Sequence, residues 1–448
     1  MATLIRHKFA VGNSYDTYAP KSTSEYLDAA LEAEKYIAQY ERQTKDGIFW
    51  SIEETDKPNL SFFVGTTGNV YYYLKLYQAL GGDEYLDKVK KGADYLTKHW
   101  QDDIVEGKED IPGASKGLYY GIGGIGLVLL DIYDETKEEK YLDTARDIAK
   151  YYKDHASKDE NGIYWSNSSA LFLDGGTILF LLKLYEEEKS DEIYDLIISA
   201  IKHYLAGGIK HDDGGLEFNG LKGWLNFSLP NFEFGSAGSG YLLTKIYELT
   251  NEEQYLDAAK ACAIYLKSIA IKQEKGFLVP YRVGLDEEPI FYLSSCHGPA
   301  GTSRLFYRLY KLTNDDKYLK DIEELVDGLE STGAPEKQSV GFWNNVCLCC
   351  GNAGLVQFFT AYYQASKSDR YKKLALRAGN VLLGEKEKKA EKISHWPLAF
   401  TRVEPETITS PIGYYDGAAG IGSALLQLYL SEEDKFKWVR LYDDPFNE

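Results

Sequence analysis

The sequence predicts an all-α fold, an (α/α)7 double toroid in which seven outer helices surround seven inner ones, with short strand and loop excursions at one rim. Three observations point there: a glycine-to-tyrosine motif that recurs seven times, amphipathic segments between its copies, and extended aromatic pieces ahead of it. A length of 448 residues allows two or three ordinary domains. Because the repeat runs through the whole chain, we expect one toroid spanning 1–448.

The inner helices come from seven segments that align without gaps: GTTGNVYYYLKLY, GIGGIGLVLLDIY, LDGGTILFLLKLY, GSAGSGYLLTKIY, GPAGTSRLFYRLY, GNAGLVQFFTAYY and GAAGIGSALLQLY. Each holds a glycine followed nine residues later by tyrosine: Gly68 and Tyr77, Gly124 and Tyr133, Gly176 and Tyr185, Gly238 and Tyr247, Gly301 and Tyr310, Gly354 and Tyr363, Gly420 and Tyr429. Apolar residues cover nearly the whole circumference of these segments, as in helices packed on all sides. Their glycines let helix N-termini crowd around an axis.

The outer helices open on an aromatic residue soon after most of those tyrosines, as in YLDKVKKGADYL from Tyr85, YLDTARDIAKYY from Tyr141, YLDAAKACAIYL from Tyr255 and YLKDIEELVDGL from Tyr318. Charge confined to one face marks them as solvent-facing. An earlier copy, EYLDAALEAEKYIAQY from Glu25, precedes the first glycine segment, so the order is outer then inner, seven times. Between the two kinds of helix lie pieces such as Gly47-Ile-Phe-Trp50, Gly162-Ile-Tyr-Trp165 and Gly341-Phe-Trp343, which read as strands or loops lining one rim. Functional residues are expected on that rim, where loops and inner-helix N-termini converge.

Composition narrows the partners. With 44% hydrophobic and 27% charged residues the chain buries a large core, which excludes general disorder. A formal charge of -19 repels phosphate backbones and argues against nucleic acid or anionic lipid, while a basic peptide would be attracted. The opening MATLIRHKFAVGNSYDTYAP lacks the apolar core of a signal peptide, and no stretch approaches the roughly 18 apolar residues of a membrane span. A cytoplasmic location is therefore expected.

Five cysteines are too few for a disulfide scaffold, and four of them fall between positions 296 and 350. The fifth repeat carries Ser294-Ser295-Cys296-His297 and the sixth Cys347-Leu348-Cys349-Cys350, at the same end of neighbouring inner helices. Cys296, Cys349 and Cys350 should converge near the axis, beside helix N-termini expected to lower thiol pKa values. One Zn2+ accepts such ligands at about 2.3 Å, and three protein ligands leave a fourth position for substrate. Spacing alone equally suits small buried packing residues. Cys262, inside an outer helix, reads as a core residue, and Cys347 as a spectator or reserve ligand.

The motifs Cys296-His297-Gly298-Pro299-Ala300-Gly301 and Cys349-Cys350-Gly351-Asn352-Ala353-Gly354, with the seven repeats, resemble the lanthionine synthetase C-like proteins. The resemblance implies the double toroid and one zinc ion. The family places one ligand cysteine in the first motif and a Cys-His pair in the second; the Cys-Cys found here is similar to a three-cysteine variant. It further implies addition of a cysteine thiol to dehydroalanine or dehydrobutyrine in a dehydrated precursor peptide, giving a thioether ring, with a dehydratase as partner.

The sequence departs from that family in its proton carriers. The family histidine falls immediately before the first glycine of the fourth repeat, where this chain has Phe234. The family aspartate, ahead of the third repeat's glycines, aligns near Ser169, with Leu173 replacing the first glycine and Asp174 offset in register. His297, Asp416 and Tyr292 are the candidates to act instead. His297 is the natural carrier near pH 7, although on a helix it would point about 100° from the adjacent ligand. Asp416 also fits an N-cap, and Glu233 reads as a first-turn charge. A rival reading is a zinc-retaining homologue that lacks the usual histidine and binds a peptide, or binds or adds another thiol such as glutathione. A third reading, a carbohydrate-active toroid using Trp50, Trp165 and Trp343 as platforms, lacks a carboxylate pair at the rim.

Overall fold

A computed structural model describes residues 16–55, 57–104, 111–337, 342–343, 345–399, 401, 403–404, 406–433 and 441–446. The opening segment, Gly341 and the Trp343 side chain lie outside the described residues. Among the described residues there are fourteen α-helices in the expected alternation. They are α1 (Thr23–Ala38) and α2 (Thr66–Leu80), α3 (Asp83–His99) and α4 (Ile122–Thr136), α5 (Glu139–Asp154) and α6 (Gly176–Glu188), α7 (Asp191–Ala206) and α8 (Ser236–Thr250), α9 (Glu253–Ser268) and α10 (Pro299–Thr313), α11 (Lys317–Ser331) and α12 (Asn352–Ser366), and α13 (Asp369–Glu385) and α14 (Ala418–Glu432). Odd-numbered helices are the outer ones. None is long and apolar enough to cross a membrane.

The recurring tyrosine marks where each inner helix stops. The carbonyls of Tyr77, Tyr133, Tyr185, Tyr247, Tyr310, Tyr363 and Tyr429 each accept the N–H of the residue four positions on, which closes the last turn. In five repeats that residue, Lys137, Lys189, Asn251, Asn314 or Lys367, takes the left-handed conformation and turns the chain into the next outer helix. At the other end α1 opens on a capping box in which Ser22 Oγ accepts the Ser24 N–H and Glu25 accepts the Ser22 N–H. Most inner helices start on a bare glycine instead, with no side-chain cap.

The recurring inner glycines set the spacing of the ring. A methyl on Gly301 would lie 1.9 Å from Ser295 O and 2.8 Å from Phe232 Cβ of the repeat before, and one on Gly124 would lie 2.1 Å from Leu118 O and 3.0 Å from Phe62 Cβ. Gly68, in the first repeat, is met in the same way at 2.7 Å by Cβ of Tyr414 from the seventh. The toroid closes there, with α14 packed on both α1 and α2.

The rim carries the strand excursions, all two-stranded: β1 (Glu41–Thr44) with β2 (Gly47–Trp50), β3 (Ser157–Lys158) with β4 (Ile163–Tyr164), β5 (Ile209–Lys210) with β6 (Leu216–Glu217), β7 (Ile271–Lys272) with β8 (Phe277–Leu278), the parallel pair β9 (Phe291–Tyr292) with β10 (Phe342–Trp343), then β11 (Glu387–Ala390) with β12 (Ile393–His395), and β13 (Leu398–Ala399) with β14 (Ile408–Thr409). The parallel pair joins the loops that carry the cysteine motifs. Trp50 and Trp165 are buried rather than displayed: Trp50 stacks on Tyr73 and Trp165 donates to the Tyr152 carbonyl. They are core residues, not sugar platforms. Residues 441–446 lie within the ring, where Phe446 packs on Tyr307, Phe358 and Tyr362 of α10 and α12.

Candidate metal centre

Each inner helix except α6 is preceded by a tight three-residue turn or bend just ahead of its first glycine. The middle residues of these turns are stitched together around the axis. Phe172 N–H donates to Glu233 O at 2.8 Å, Glu233 to Cys296 O at 3.1 Å, Cys296 to Cys349 O at 3.2 Å, Cys349 to Tyr415 O at 2.9 Å, Tyr415 to Phe63 O at 3.0 Å and Phe63 to Tyr119 O at 2.8 Å. These seven residues form one tier. The residues that follow them, Val64, Tyr120, Leu173, Phe234, His297, Cys350 and Asp416, form a second. In the third repeat a π-helical turn, Leu171–Gly175, replaces the usual entry, and Phe172 takes the tier position one residue closer to its glycine.

The tiers bring the three predicted ligands together. Cys296 Sγ lies 3.5 Å from Cys350 Sγ, and Cys350 Sγ 3.4 Å from Cys349 Sγ. Sulfurs bound tetrahedrally at about 2.3 Å to one zinc are about 3.8 Å apart, so a slight spreading accommodates the ion. Electrostatics favour a cation here. Hydrogen bonding to Cys296 raises the Cys349 thiol and pushes that of Cys350 up to about 11. Burial works against Cys296 too, but donation from the other two thiols outweighs it and holds its thiol below the ordinary value. Helix N-termini therefore do not lower all three, as the sequence suggested. Ionisation of one thiol thus opposes that of its neighbours, and a divalent cation would let all ionise.

His297 lies beside the thiols. It sits in a turn rather than on a helix, and a ring nitrogen falls within 4.8 Å of both Cys296 Sγ and a Glu233 carboxylate oxygen. It is only 6% exposed, and its Nδ1 has no hydrogen-bond partner among the described residues. Burial pushes its pKa down to about 3, so the ring is neutral. Its face stacks on Phe234 at 5.7 Å, and Tyr281 and Tyr292 meet its edge at 4.8 and 5.8 Å. The imidazole thus lies against the residue that occupies the family's histidine position. Tyr292, stacked on Tyr281 at 4.2 Å, borders His297.

Asp416 is not an N-cap. Gly417 caps α14 without a side-chain bond, and Asp416 Oδ1 is buried without a partner among the described residues. Burial pushes its pKa up to about 7. Asp174 is held as a structural acceptor by Trp165 N–H, Ser166 N–H and Ser166 Oγ at 3.1, 2.8 and 2.6 Å. Ser169 donates to the Tyr204 carbonyl. Cys347 is buried beside Cys350, whose N–H its sulfur accepts at 3.4 Å, and Cys262 is buried in α9.

Glu233 is the residue that the sequence reading underrated. It is no first-turn charge on a helix surface but a 4% exposed side chain in the same tier as Cys296 and Cys349, with Oε1 3.9 Å from Cys349 Sγ. Burial, reinforced by the Asp443 charge, pushes its pKa up to about 8. Its spacing was a usable signal: Glu233, Cys296 and Cys349 each fall five residues before Gly238, Gly301 and Gly354. Asp443, from the segment 441–446, forms a buried ion pair with Arg304 at 2.9 Å and accepts from Tyr119 OH at 2.8 Å.

Elsewhere the tiers are aromatic. Rings of Tyr415 and Phe63, Phe63 and Tyr120, Tyr120 and Phe172, and Phe172 and Phe234 follow one another with centroids 4.6 to 5.5 Å apart. The polar residues of this ring are confined to successive repeats, bounded by that wall.

The sequence model of the lanthionine synthetase C-like protein family matches residues 17–170 and 56–441, nearly the whole chain. The chain belongs to that family. Among solved structures, nisin cyclase superimposes with a TM-score of 0.63 at 17% identity, covering 90% of this chain and 93% of that one, which establishes the shared toroid of this lanthionine synthetase C-like protein. Cellobiose 2-epimerase from Spirochaeta thermophila matches 69% of this chain and 84% of its own, at 14% identity and a TM-score of 0.48.

Proposed function

We propose that this protein is a zinc-dependent cyclase that adds a cysteine thiol of a dehydrated precursor peptide to dehydroalanine or dehydrobutyrine, forming a thioether. The observation that carries the reading is the meeting of three thiols, with Cys350 Sγ 3.5 Å from Cys296 Sγ and 3.4 Å from Cys349 Sγ, beside a buried histidine with an unpaired nitrogen. The three cysteines would hold one Zn2+, which when bound favours the thiolate form of a substrate thiol.

The remaining work falls to the chain's own residues. The reaction moves one proton off the thiol and one onto the α-carbon. The neutral His297 ring offers Nδ1 to receive the first, while Phe234 and Tyr292 fix its orientation. Asp416, kept largely protonated to about pH 7 by burial, can deliver the second, and the proton released again by His297 restores it. The aromatic wall excludes water that would compete for the acceptor alkene. The charge of -19 suits a basic leader or core peptide, and a dehydratase would supply the alkene.

The test is incubation of zinc-loaded protein with a dehydrated, cysteine-containing peptide, following loss of free thiol at unchanged mass. Cys296→Ser should abolish both zinc and turnover. No thiol loss from any peptide, with zinc bound, would replace this reading by the rival one, a zinc-retaining protein that binds peptides or thiols, to which Phe234 at the family's histidine position already points.

A further inference from the structure

We infer that Glu233 is the fourth ligand of the metal in the resting protein, so that three thiolates and one carboxylate close the site and a substrate thiol must open it. The inference rests on the zinc reading above and adds a ligand to it.

Three features carry it. First, Glu233, Cys296 and Cys349 occupy the same position of three successive repeats and are joined by consecutive backbone hydrogen bonds, so their side chains leave one tier side by side. Cys350, from the next tier, completes a group of four. Second, the carboxylate reaches the thiols: Oε1 is 3.9 Å from Cys349 Sγ, and a carboxylate oxygen lies within 4.8 Å of Cys296 Sγ. Oxygen and sulfur bound to one zinc at about 2.0 and 2.3 Å are about 3.5 Å apart, which a rotation of the side chain supplies. Third, this carboxylate is more than nine-tenths buried and otherwise unpartnered. Among the described residues it has no ion pair and no hydrogen-bond donor other than that distant thiol. Buried carboxylates normally accept several hydrogen bonds or bind a cation.

Closure by a carboxylate differs from closure by a fourth cysteine because the harder oxygen exchanges more readily for a soft thiolate. With zinc bound, a substrate thiol whose proton passes to His297 would exchange for the Glu233 carboxylate, and the carboxylate would return once the thioether product had left. No oxidant or further reactant is needed.

The test compares zinc affinity, by chelator competition, in wild-type protein, Glu233→Gln, Glu233→Cys and Cys296→Ser, with the absorption spectrum of the cobalt-loaded forms as a second readout. Glu233→Gln, of the same shape, should bind zinc at least tenfold more weakly, whereas Glu233→Cys should restore or exceed wild-type affinity and strengthen the sulfur-to-cobalt charge-transfer band. A merely electrostatic or packing carboxylate would be lost in both variants alike. Unchanged zinc affinity and cobalt spectrum in Glu233→Gln, with affinity lost in Cys296→Ser, overturns the fourth-ligand assignment alone. Retained affinity in Cys296→Ser overturns the three-cysteine site beneath it. Melting of the metal-free proteins identifies any variant that fails to fold, and Glu233→Cys then decides by its own affinity.

Discussion

Replacing Gly301 by alanine separates the structural role of the inner glycines from the chemical role of the turns they hold. The added methyl would sit 1.9 Å from Ser295 O, about 1.5 Å short of ordinary contact, and the obstructing atom is backbone that cannot rotate away. Overpacking of this kind costs about 3 kcal/mol, the upper part of its usual range. Alanine recovers about 1 kcal/mol of helix propensity, leaving a net loss of about 2 kcal/mol. With an unfolding entropy of about 2.1 cal/mol/K per residue over this chain, melting should fall by about 2 °C. Gly124→Ala meets Leu118 O at 2.1 Å and should lose as much. The two differ in what the displaced carbonyl precedes: Ser295 precedes Cys296, Leu118 precedes Tyr119. Zinc sites tolerate about 0.2 Å of ligand displacement, so Gly301→Ala should lose at least tenfold in zinc affinity while Gly124→Ala keeps it. Thermal melts and chelator competition read both quantities. Equal zinc affinity in the two variants, at equal loss of stability, would refute the coupling of glycine packing to the metal centre.

Other outcomes follow from single residues. Lys75, buried on α2, has its pKa pushed down to about 7 by desolvation, so the unfolded chain holds a proton that the folded one lacks between about pH 7 and 10. That contribution to stability rises with pH over this window, and Lys75→Met should flatten the rise and stabilise the protein at pH 7 by up to a few kcal/mol, measured by urea midpoints. Phe446→Ala empties a site among Tyr307, Phe358 and Tyr362 and should cost about 3 to 5 kcal/mol by the same assay. His297→Phe should keep zinc yet lower the cyclisation rate by about 100-fold or more, checked by single-turnover thiol loss.

The hairpin count was legible because a helix stop and a close helix contact each demand a particular residue type at a fixed offset. The left-handed turn after Tyr133 and the methyl-free surface of Gly124 are local requirements that recur whatever the rest of the repeat does. The thiol cluster was legible by the same alignment. Glu233 was not, because a carboxylate ahead of a helix has a surface explanation that only three-dimensional burial removes. Asp416 misled in the same direction: its place before α14 suits a cap, but Gly417 takes the cap position and Asp416 Oδ1 is left buried without a partner among the described residues. The neighbouring thiols defeated a pKa argument made from helix ends alone, since hydrogen bonds at 3.4 to 3.5 Å outweigh a distant dipole. Residues 441–446 carry no repeat, so nothing in their pattern announced that Asp443 would pair with Arg304 inside the ring.

The stitched turns give the molecule seven stations around one axis, six of them built on the same tight turn or bend, and that likeness makes reassignment cheap. A side chain moved from one station to the next keeps its height and its inward direction, changing only its bearing by about one seventh of a turn. Phe234 and His297 occupy adjacent stations and touch face to face, so the imidazole expected at one is supplied from the other. Exchanging them, as Phe234→His with His297→Phe, should therefore rescue the single His297→Phe variant. Chemistry on such a dial can rotate while the backbone that carries it stays where it was.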